Sequence, residues 1–386
     1  MKLLTFEYAE QEGTAQAWMM DKCSFGQKTL LVGKNASGKS RTLNVIIGLA
    51  RHLAGLQPPT ASGTYNCSFQ DGQSEYSYHC ICKEGNVLTE VIRINNEIFL
   101  ERGVGGIGKI WAAKIDEGSF IDFQTPPSEF AAVARRDSIQ HAFLEPLYNW
   151  ASTVRHFQFG TNLGKDLLAH FVPGGLIVDE RNQATVIALF RNAKREFKEI
   201  FVDNLMHDMA DLAYFLETID IGRPVSLSLS SHPEADQLFS LIVKEKDLNG
   251  FTDHFSMSQG MYRVLSLLIN VNYFQLKNAG SCILVDDIGE GLDFDRSCRL
   301  ISLLRRKAEE SQMQIIISTN DRFVMNEVPL EEWSIVQRKG NHVSFKNIEN
   351  SREIFENFKF TGLNNFSFLE LDVINEPLGE GAAPNA

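Results

Sequence analysis

Short apolar runs alternate with stretches of helical period along this chain, and that pattern is typical of a mixed α/β protein. Apolar runs of strand length predict strands at Lys2–Tyr8, Trp18–Met20, Thr29–Val32, Ser281–Val285 and Met313–Ile317. Helical periodicity predicts helices at Thr42–Leu53, Val264–Leu276 and Arg296–Glu310. Because strands and helices alternate at both ends of the sequence, we predict a mostly parallel central sheet.

The middle of the chain has a different pattern. Residues 58–110 show two-residue alternation between Gly- and Asn-rich turns, which predicts a small antiparallel sheet. Residues 127–220 are predicted to be largely helical, because apolar side chains recur at helical spacing from 184 to 219. The last residues, 379–386, are rich in Gly and Ala and are expected to form a flexible end.

Composition narrows the class of protein. The chain has 386 residues, 44% of them hydrophobic, and a net charge of −12. No stretch approaches the ~20 apolar residues of a membrane span, and the start does not resemble a secretory signal, so a cytoplasmic protein is expected. The net negative charge argues against a protein that is wrapped in nucleic acid, although local basic patches leave DNA binding possible. The six cysteines include no CxxC pair that would indicate zinc.

A glycine-rich segment, Gly33–Ser40, follows the predicted strand at Thr29–Val32 and precedes a helix. Its sequence fits the phosphate-binding pattern G-x-x-x-x-G-K-[ST], in which backbone N–H groups surround phosphate oxygens. Lys39 places a positive charge near the β- and γ-phosphates, and the Ser40 hydroxyl is a ligand for Mg²⁺. The residues predicted to contact the nucleotide here are Gly33, Lys34, Asn35, Ala36, Ser37, Gly38, Lys39, Ser40 and Arg41.

Polar residues also follow the predicted strands far downstream. The strand at Ser281–Val285 ends in Asp286 and Asp287, which predicts a carboxylate for Mg²⁺ and a second one that orients water. The next strand ends at 318–321, at the edge where open α/β sheets place their ligands. Ser258 and Gly260 open a predicted helix and offer a second site for an anion.

In this order the motifs resemble the ATP-binding-cassette class of P-loop ATPases, in the branch of SMC proteins, RecF and the overcoming-lysogenization-defect (OLD) ATPases. Ser258 and Gly260 match two positions of the signature motif, Gly291–Asp293 matches the D-loop, and Asn320 stands at the switch position. The resemblance implies ATP and Mg²⁺ as ligands, with Ser40 and Asp286 at the metal. It also implies a homodimer, or a higher homo-oligomer, in which Ser258 and Gly260 act on the partner's ATP.

Three departures from the family pattern predict slow hydrolysis. Asp287 stands where the family has Glu, Asn320 where many members have His, and Gln259 where the signature has Gly. A shift of ~1 Å in a catalytic group can lower a rate ~10²-fold. The resemblance implies that Lys39, Asp287 and Asn320 are the catalytic residues, and the departures predict that the enzyme is slow. The family's phosphate-sensing glutamine is predicted to be either Gln124 or Gln140.

The resemblance implies an ATPase head with four parts. They are a first lobe at 1–126, a helical insertion at 127–222, a second lobe at 223–348 and a C-terminal extension at 349–386. The leading functional prediction is an ATP-dependent sensor or scaffold for a separate effector, a nuclease or toxin, in bacterial phage defence. The alternatives are a RecF-like DNA-repair ATPase, the energising subunit of a transporter, and a protein that binds ATP without hydrolysing it.

Overall fold

The computed structural model describes residues 1–115, 118–171, 185–227, 235–278 and 280–375. The expected flexible end at 379–386 lies outside these residues. The described residues form two compact units. The first comprises those within 1–156, 280–284 and 314–386, and the second those within 157–279 and 285–313. The domain boundaries predicted from the sequence stay predictions.

The first unit is built on one large sheet. Among the described residues it has fourteen strands. In spatial order they are β10 (Arg155–Gln158), β15 (Cys282–Asp286), β16 (Gln314–Ser318), β3 (Lys28–Val32), β17 (Trp333–Lys339), β18 (His342–Asn347), β2 (Trp18–Ser24), β1 (Lys2–Glu10), β4 (Ser62–Asp71), β5 (Ser74–Lys83), β6 (Asn86–Ile94), β7 (Glu97–Arg102), β8 (Ile107–Ala112) and β9 (Ser119–Gln124). Strands β10 and β15 begin in this unit, and their last two residues belong to the second.

The prediction of a mostly parallel sheet needs correction, because this sheet is mostly antiparallel. Strand β3 does pair in parallel with β16 and β17, and β18 pairs in parallel with β2. From β2 through β1 and β4 to β9, however, every neighbouring pair is antiparallel. The antiparallel segment is therefore not a separate small sheet. It continues the large one, because β1 hydrogen-bonds to β4 over most of its length.

The helices of the first unit include α1 (Lys39–Leu53), whose buried side follows helical spacing. Leu43, Ile46 and Leu49 of α1 are fully buried in the hydrophobic core of this unit. Burying three such side chains stabilises the unit by roughly 1.5–3 kcal/mol each. The described helices are α1 (Lys39–Leu53), α2 (Ala131–Ala134), α3 (Glu145–Thr153), α7 (Arg322–Glu327), α8 (Arg352–Lys359) and α9 (Asn365–Glu370).

The second unit packs helices with a small antiparallel sheet. Its elements are β11 (Ala169–His170), α4 (Val186–Asp211), β12 (Leu216–Gly222), β13 (Leu238–Glu245), β14 (Thr252–Asp253), α5 (Gln259–Leu276) and α6 (Phe294–Glu309). Helix α5 is buried on all sides from Gly260 to Phe274. No helix in the described ranges, α5 included, has the length and apolarity needed to cross a membrane.

The apolar stripe predicted as helix between 184 and 219 is helical only in part. Helix α4 ends at Asp211, and the stripe continues as strand β12, which pairs with β13. Within α4 the backbone of Lys198 is not helical, so the helix is interrupted there. A left-handed residue at Ala213 turns the chain from helix to strand. A short run of apolar residues after a turn fits the spacing of a strand as well as that of a helix, which explains why residues 216–219 were predicted to be helical.

Candidate functional site

The glycine-rich segment forms a tight loop between β3 and α1. A side chain at Gly33 would place its Cβ 2.5 Å from the Val336 backbone oxygen, so only glycine fits. Gly38 has a φ of 109°, which other residues rarely adopt. Ala36 also has a left-handed backbone, with a φ of 62°, which the sequence pattern does not reveal. Close packing and left-handed turns at these positions give the loop the shape of an anion-binding concavity.

Lys39 closes this loop. Its ammonium group donates hydrogen bonds to the backbone oxygens of Gly33 at 2.8 Å and Lys34 at 3.3 Å. The side chain is only 5% exposed. Helix α1 begins at Lys39 with no side-chain cap and no acidic residue in its first turn. The positive end of the helix dipole is therefore left to an external anion, and Lys39 lies beside it.

Other predicted loop residues differ in their surroundings. The Ser37 hydroxyl is buried and has no hydrogen-bond partner among the described residues. Ser40 is exposed at the start of α1. The Arg41 guanidinium lies over the Trp18 ring, 4.2 Å from its centroid, and pairs with Glu10. The Lys34 ammonium lies 3.1 Å from the Asp372 carboxylate. Arg41 is thus held by the first two strands, whereas the unpartnered Ser37 hydroxyl lies buried within the loop.

Asn320 lies at the same edge of the sheet as the phosphate loop. Strands β16 and β3 are parallel neighbours, so their carboxyl ends meet at one edge. Asn320 is exposed two residues after the end of β16. The following residue, Asp321, caps α7 by accepting a hydrogen bond from the Phe323 N–H at 2.8 Å. Asn320 and the glycine-rich loop therefore follow neighbouring parallel strands at one edge of the sheet, and the role of Asn320 at the γ-phosphate stays a prediction.

In the second unit, Asp286 and Asp287 lie together at the end of β15. Asp286 is buried, and its backbone oxygen accepts a hydrogen bond from the Phe159 N–H at 3.0 Å. Asp287 has a left-handed backbone with a φ of 54°, which aspartate tolerates better than most residues. Its backbone oxygen bonds to the Glu290 N–H in the turn that follows. Asp286 therefore has the extended backbone of a strand and Asp287 a left-handed backbone, so the two side chains are attached to backbones of different conformation.

The hydrogen bond from the Phe159 N–H to the Asp286 backbone oxygen draws attention to a glutamine that sequence reasoning missed. Gln158 is the last residue of β10, directly before Phe159, so it lies beside the end of β15. Gln124 ends β9, the tenth strand along the sheet from β3. The Gln140 side chain accepts a hydrogen bond from the Lys114 N–H instead. Strand order therefore places Gln158, and not Gln124, on the strand next to the one that ends in Asp286, whereas Gln140 lies on no strand. Strand β10 has only four residues, too few for a periodic signal.

The second predicted anion site is the start of α5. The Ser258 hydroxyl caps this helix by accepting a hydrogen bond from the Met261 N–H at 3.2 Å. A Cβ at Gly260 would lie 2.6 Å from the Gly291 backbone oxygen, so the helix and the loop at 291–293 are in direct backbone contact. The structure thus brings together two motifs that are 31 positions apart in the sequence.

Arg263 joins these two motifs, and sequence reasoning missed it as well. The side chain is buried, and it donates hydrogen bonds to the Glu290 backbone oxygen at 2.8 Å and the Thr161 backbone oxygen at 3.3 Å. The guanidinium therefore links α5 to the turn after Asp287. An arginine one turn into a mostly apolar helix was the signal that could have identified it.

Asp253 organises the turn that leads to Ser258. Its carboxylate accepts hydrogen bonds from the Val225 and Ser226 N–H groups, both at 2.7 Å, and from the Ser226 hydroxyl. Its second oxygen accepts from the Ser256 N–H at 3.2 Å. Burial by itself raises the pKa of Asp253, but these hydrogen bonds outweigh burial and lower the pKa below its usual value.

Replacing Asp253 with alanine is expected to lower the free energy of unfolding by about 2 kcal/mol at pH 7, because the backbone N–H groups lose their acceptor. A lowered pKa in the folded state stabilises the protein above the usual pKa of ~4, and this stabilisation is lost as the pH falls through the lowered value. Urea unfolding at pH 7 and pH 3 should show that the difference from wild type shrinks in acid. The exposed Asp247→Ala variant is the control, and a pH-independent difference would contradict the assignment.

Comparisons with known proteins come from solved structures. No protein-family model matches the chain, and no curated protein matches it. The crystal structure of an SMC head bound to the C-terminal winged-helix domain of ScpA is similar with a TM-score of 0.53 and 13% identity, over 92% of this chain and 100% of that one. The Smc head domain from Pyrococcus furiosus bound to the C-terminal domain of ScpA is similar with a TM-score of 0.51 and 13% identity, over 93% and 99%. The chain therefore has a fold similar to that of SMC heads.

Proposed function

We propose that this protein binds ATP on the loop at Gly33–Ser40. The observation that carries the proposal is the geometry of Lys39, whose buried ammonium closes the loop at the uncapped start of α1. The buried, unpartnered Ser37 hydroxyl fits a triphosphate, since phosphate oxygens accept hydrogen bonds. In the ligand-bound state Lys39 exchanges its two carbonyl acceptors for phosphate oxygens, which bind an ammonium more strongly.

We assign slow hydrolysis to the residues at the strand ends. The Ser40 hydroxyl and the Asp286 carboxylate are the oxygen donors that suit Mg²⁺. When bound, Mg²⁺ would neutralise charge on the β- and γ-phosphates. Asp287 orients the attacking water, and Asn320 donates a hydrogen bond to the γ-phosphate. Gln158 replaces Gln124 and Gln140 as our candidate for the residue that senses the γ-phosphate. The shorter side chain of Asp287 and the absence of a titratable ring at Asn320 support slow turnover.

The active state that we propose is a homodimer around two ATP molecules. Ser258 and Gly260 at the start of α5 offer N–H groups, a hydroxyl and a positive helix end to the partner's γ-phosphate. Arg263 holds this helix start against the loop at 291–293. Binding of the partner's γ-phosphate at the helix start would therefore also affect the turn that follows Asp287. A ligand that binds only the dimer stabilises it by mass action.

The Asp287→Asn variant tests hydrolysis and dimerisation together. We expect ATP turnover to fall about 10- to 100-fold while ATP affinity stays close to that of wild type, because the amide cannot orient or activate water as a carboxylate does. ATP should then hold the variant as a dimer in size-exclusion chromatography. Adding Ser258→Ala to this variant should remove the dimer and leave ATP binding by the monomer intact.

The matched control is Asp295→Asn, which makes the same change at an exposed, arginine-paired position on α6. It should leave turnover and oligomeric state unchanged. Unchanged turnover in Asp287→Asn would contradict the role of Asp287. An ATP-dependent dimer that survives Ser258→Ala would contradict binding in trans.

We propose that the ATP-bound dimer is a sensor or scaffold for a separate effector, a nuclease or toxin, in phage defence. This proposal rests on the resemblance to OLD-type ATPases and on the weakness of the case for direct DNA binding. Three of the four arginines of α6 pair with carboxylates: Arg296 with Asp293, Arg299 with Asp295 and Arg306 with Asp211. Paired arginines contribute less to binding a phosphate backbone. Purification with the product of a neighbouring gene, with and without ATP, tests the role, and ATPase stimulation by DNA would favour the RecF-like alternative.

A further inference from the structure

A cavity of about 440 Å³ adjoins the phosphate loop in the first unit. It is lined by the loop residues Lys34–Ser37, by the end of β17 with its turn, Ile335–Gly340, and by residues at the C-terminal end of the described chain, Phe368, Leu369, Asp372, Ile374 and Asn375. Its volume lies within the range of ~300–1,000 Å³ that is usual for small-molecule sites.

The order of the strands places this cavity on the side of the loop towards which the nucleoside of a bound triphosphate would extend. Strand β17 is the parallel neighbour of β3 on the side opposite β16, so its carboxyl end lies at the edge that carries the loop. The residues proposed to act on the γ-phosphate, such as Asn320, follow β16. A triphosphate with its reactive end towards β16 therefore directs the remainder of the molecule towards β17.

The lining combines the groups that a nucleoside needs. Leu369 and Ile374 are partly exposed and offer apolar surface for a ring. Gln337 and Asn375 add amides, which can donate to and accept from the edge of a base. The charged residues of the lining are Lys34, Arg338, Lys339 and Asp372, which together carry an excess of positive charge suited to a phosphorylated ligand.

The aromatic ring close to the loop does not offer an alternative platform for a base. Trp18 lies close to the end of the loop, since a Cβ added at Gly38 would lie 4.0 Å from its ring. The ring is only 2% exposed, and Arg41 lies over its face at 4.2 Å. A base could stack on Trp18 only after displacing Arg41 from both the ring and Glu10.

We propose that this cavity holds the nucleoside of the triphosphate bound on the loop, with Gln337 and Asn375 recognising the edge of the base. The inference rests on the proposed function, since it needs the phosphates to lie on the loop. The Asp372 carboxylate forms an ion pair with the Lys34 ammonium at 3.1 Å and accepts a hydrogen bond from the Asn375 side-chain amide at 2.8 Å. The C-terminal segment is thereby tied to the loop at the point where the nucleoside joins the phosphates.

The test compares ATP, CTP and inorganic tripolyphosphate by calorimetric titration of the full chain with Mg²⁺. Wild type should bind ATP at least tenfold more tightly than tripolyphosphate and should distinguish ATP from CTP. The double variant Gln337→Ala/Asn375→Ala should bind ATP about 10- to 100-fold more weakly and lose the discrimination, because it removes two hydrogen-bonding amides. Its affinity for tripolyphosphate should stay within about twofold of wild type.

Two further variants make the result specific to the cavity. Ile374→Trp fills it and should weaken ATP binding but not tripolyphosphate binding. Glu370→Ala lies on α9 outside the lining and should change neither. Equal affinities for ATP and tripolyphosphate in wild type, or full ATP affinity in the double and Ile374→Trp variants, would overturn the inference and leave the phosphate loop standing. Binding of neither probe by wild type would overturn the proposed function itself, and the inference with it.

Discussion

Replacing Lys39 with alanine is expected to lower the affinity for ATP by about 100-fold or more. The ammonium is buried at the point where backbone N–H groups and the start of α1 converge. A charge-assisted hydrogen bond contributes ~1.5–3 kcal/mol, and 1.4 kcal/mol corresponds to a tenfold change in affinity. Two bonds from Lys39 to the β- and γ-phosphates are enough for the expected loss.

The measurement is the titration of wild type and Lys39→Ala with ATP and with tripolyphosphate. Both ligands should be affected, because the contacts proposed for Lys39 are to the phosphates and to no other part of the nucleotide. Lys22→Ala removes the same charge from an exposed position on β2 and should leave both affinities unchanged. Thermal unfolding checks that the Lys39 variant is folded. Wild-type affinity in a folded Lys39→Ala protein would contradict the placement of phosphate on this loop.

Replacing Glu90 with alanine is expected to lower the free energy of unfolding by about 3–5 kcal/mol, the largest stability effect that we predict. Glu90 on β6 is fully buried, with its carboxylate 3.7 Å from the Arg102 guanidinium of β7. It accepts hydrogen bonds from the Ala131 and Ala132 N–H groups at 2.6 and 3.1 Å, and from the Tyr78 hydroxyl at 3.1 Å. Alanine would leave all of these donors buried without their acceptor.

Burial raises the pKa of Glu90, although three hydrogen-bond donors and the charge of Arg102 oppose that effect. Glu90→Gln keeps an oxygen acceptor for α2 and should be less destabilising than alanine, which separates the loss of hydrogen bonds from the loss of charge. Glu97→Ala, at an exposed position on β7, should change stability by less than ~0.5 kcal/mol. Urea unfolding measures all three. If Glu90→Ala changed the free energy of unfolding by less than 1 kcal/mol, the Glu90 carboxylate would not be an important connection between α2 and the sheet, and the prediction would be wrong.

Local features of the site were predictable because they depend on residues close together in the sequence. The strand before Gly33 and the helix after Gly38 are where apolar periodicity predicts them. Ser258 caps a helix, and Asp286 ends a buried strand, as their flanking patterns indicate. Glycines, caps and periodic apolar runs act within one turn or one strand, so the sequence carries this information directly.

Features that depend on which elements are neighbours were not predictable in this way. Gln158 emerged as a candidate only when β10 was found beside β15, and Arg263 only when α5 was found against the loop at 291–293. The continuity of the antiparallel strands with β3 followed from the pairing of β1 with β4. Periodicity identifies a strand and its buried face, but it contains no information about the partner.

The sequence by itself determined the glycine-rich loop between a strand and a helix, the lysine within it, the acidic strand end and the serine-capped helix, because each is a local pattern with its own chemistry. Only the tertiary structure decided the order of the strands, the identity of the glutamine near Asp286 and the cavity beside the loop. Those features arise where segments from distant parts of the chain bury their surfaces together, and burial is set by the whole fold.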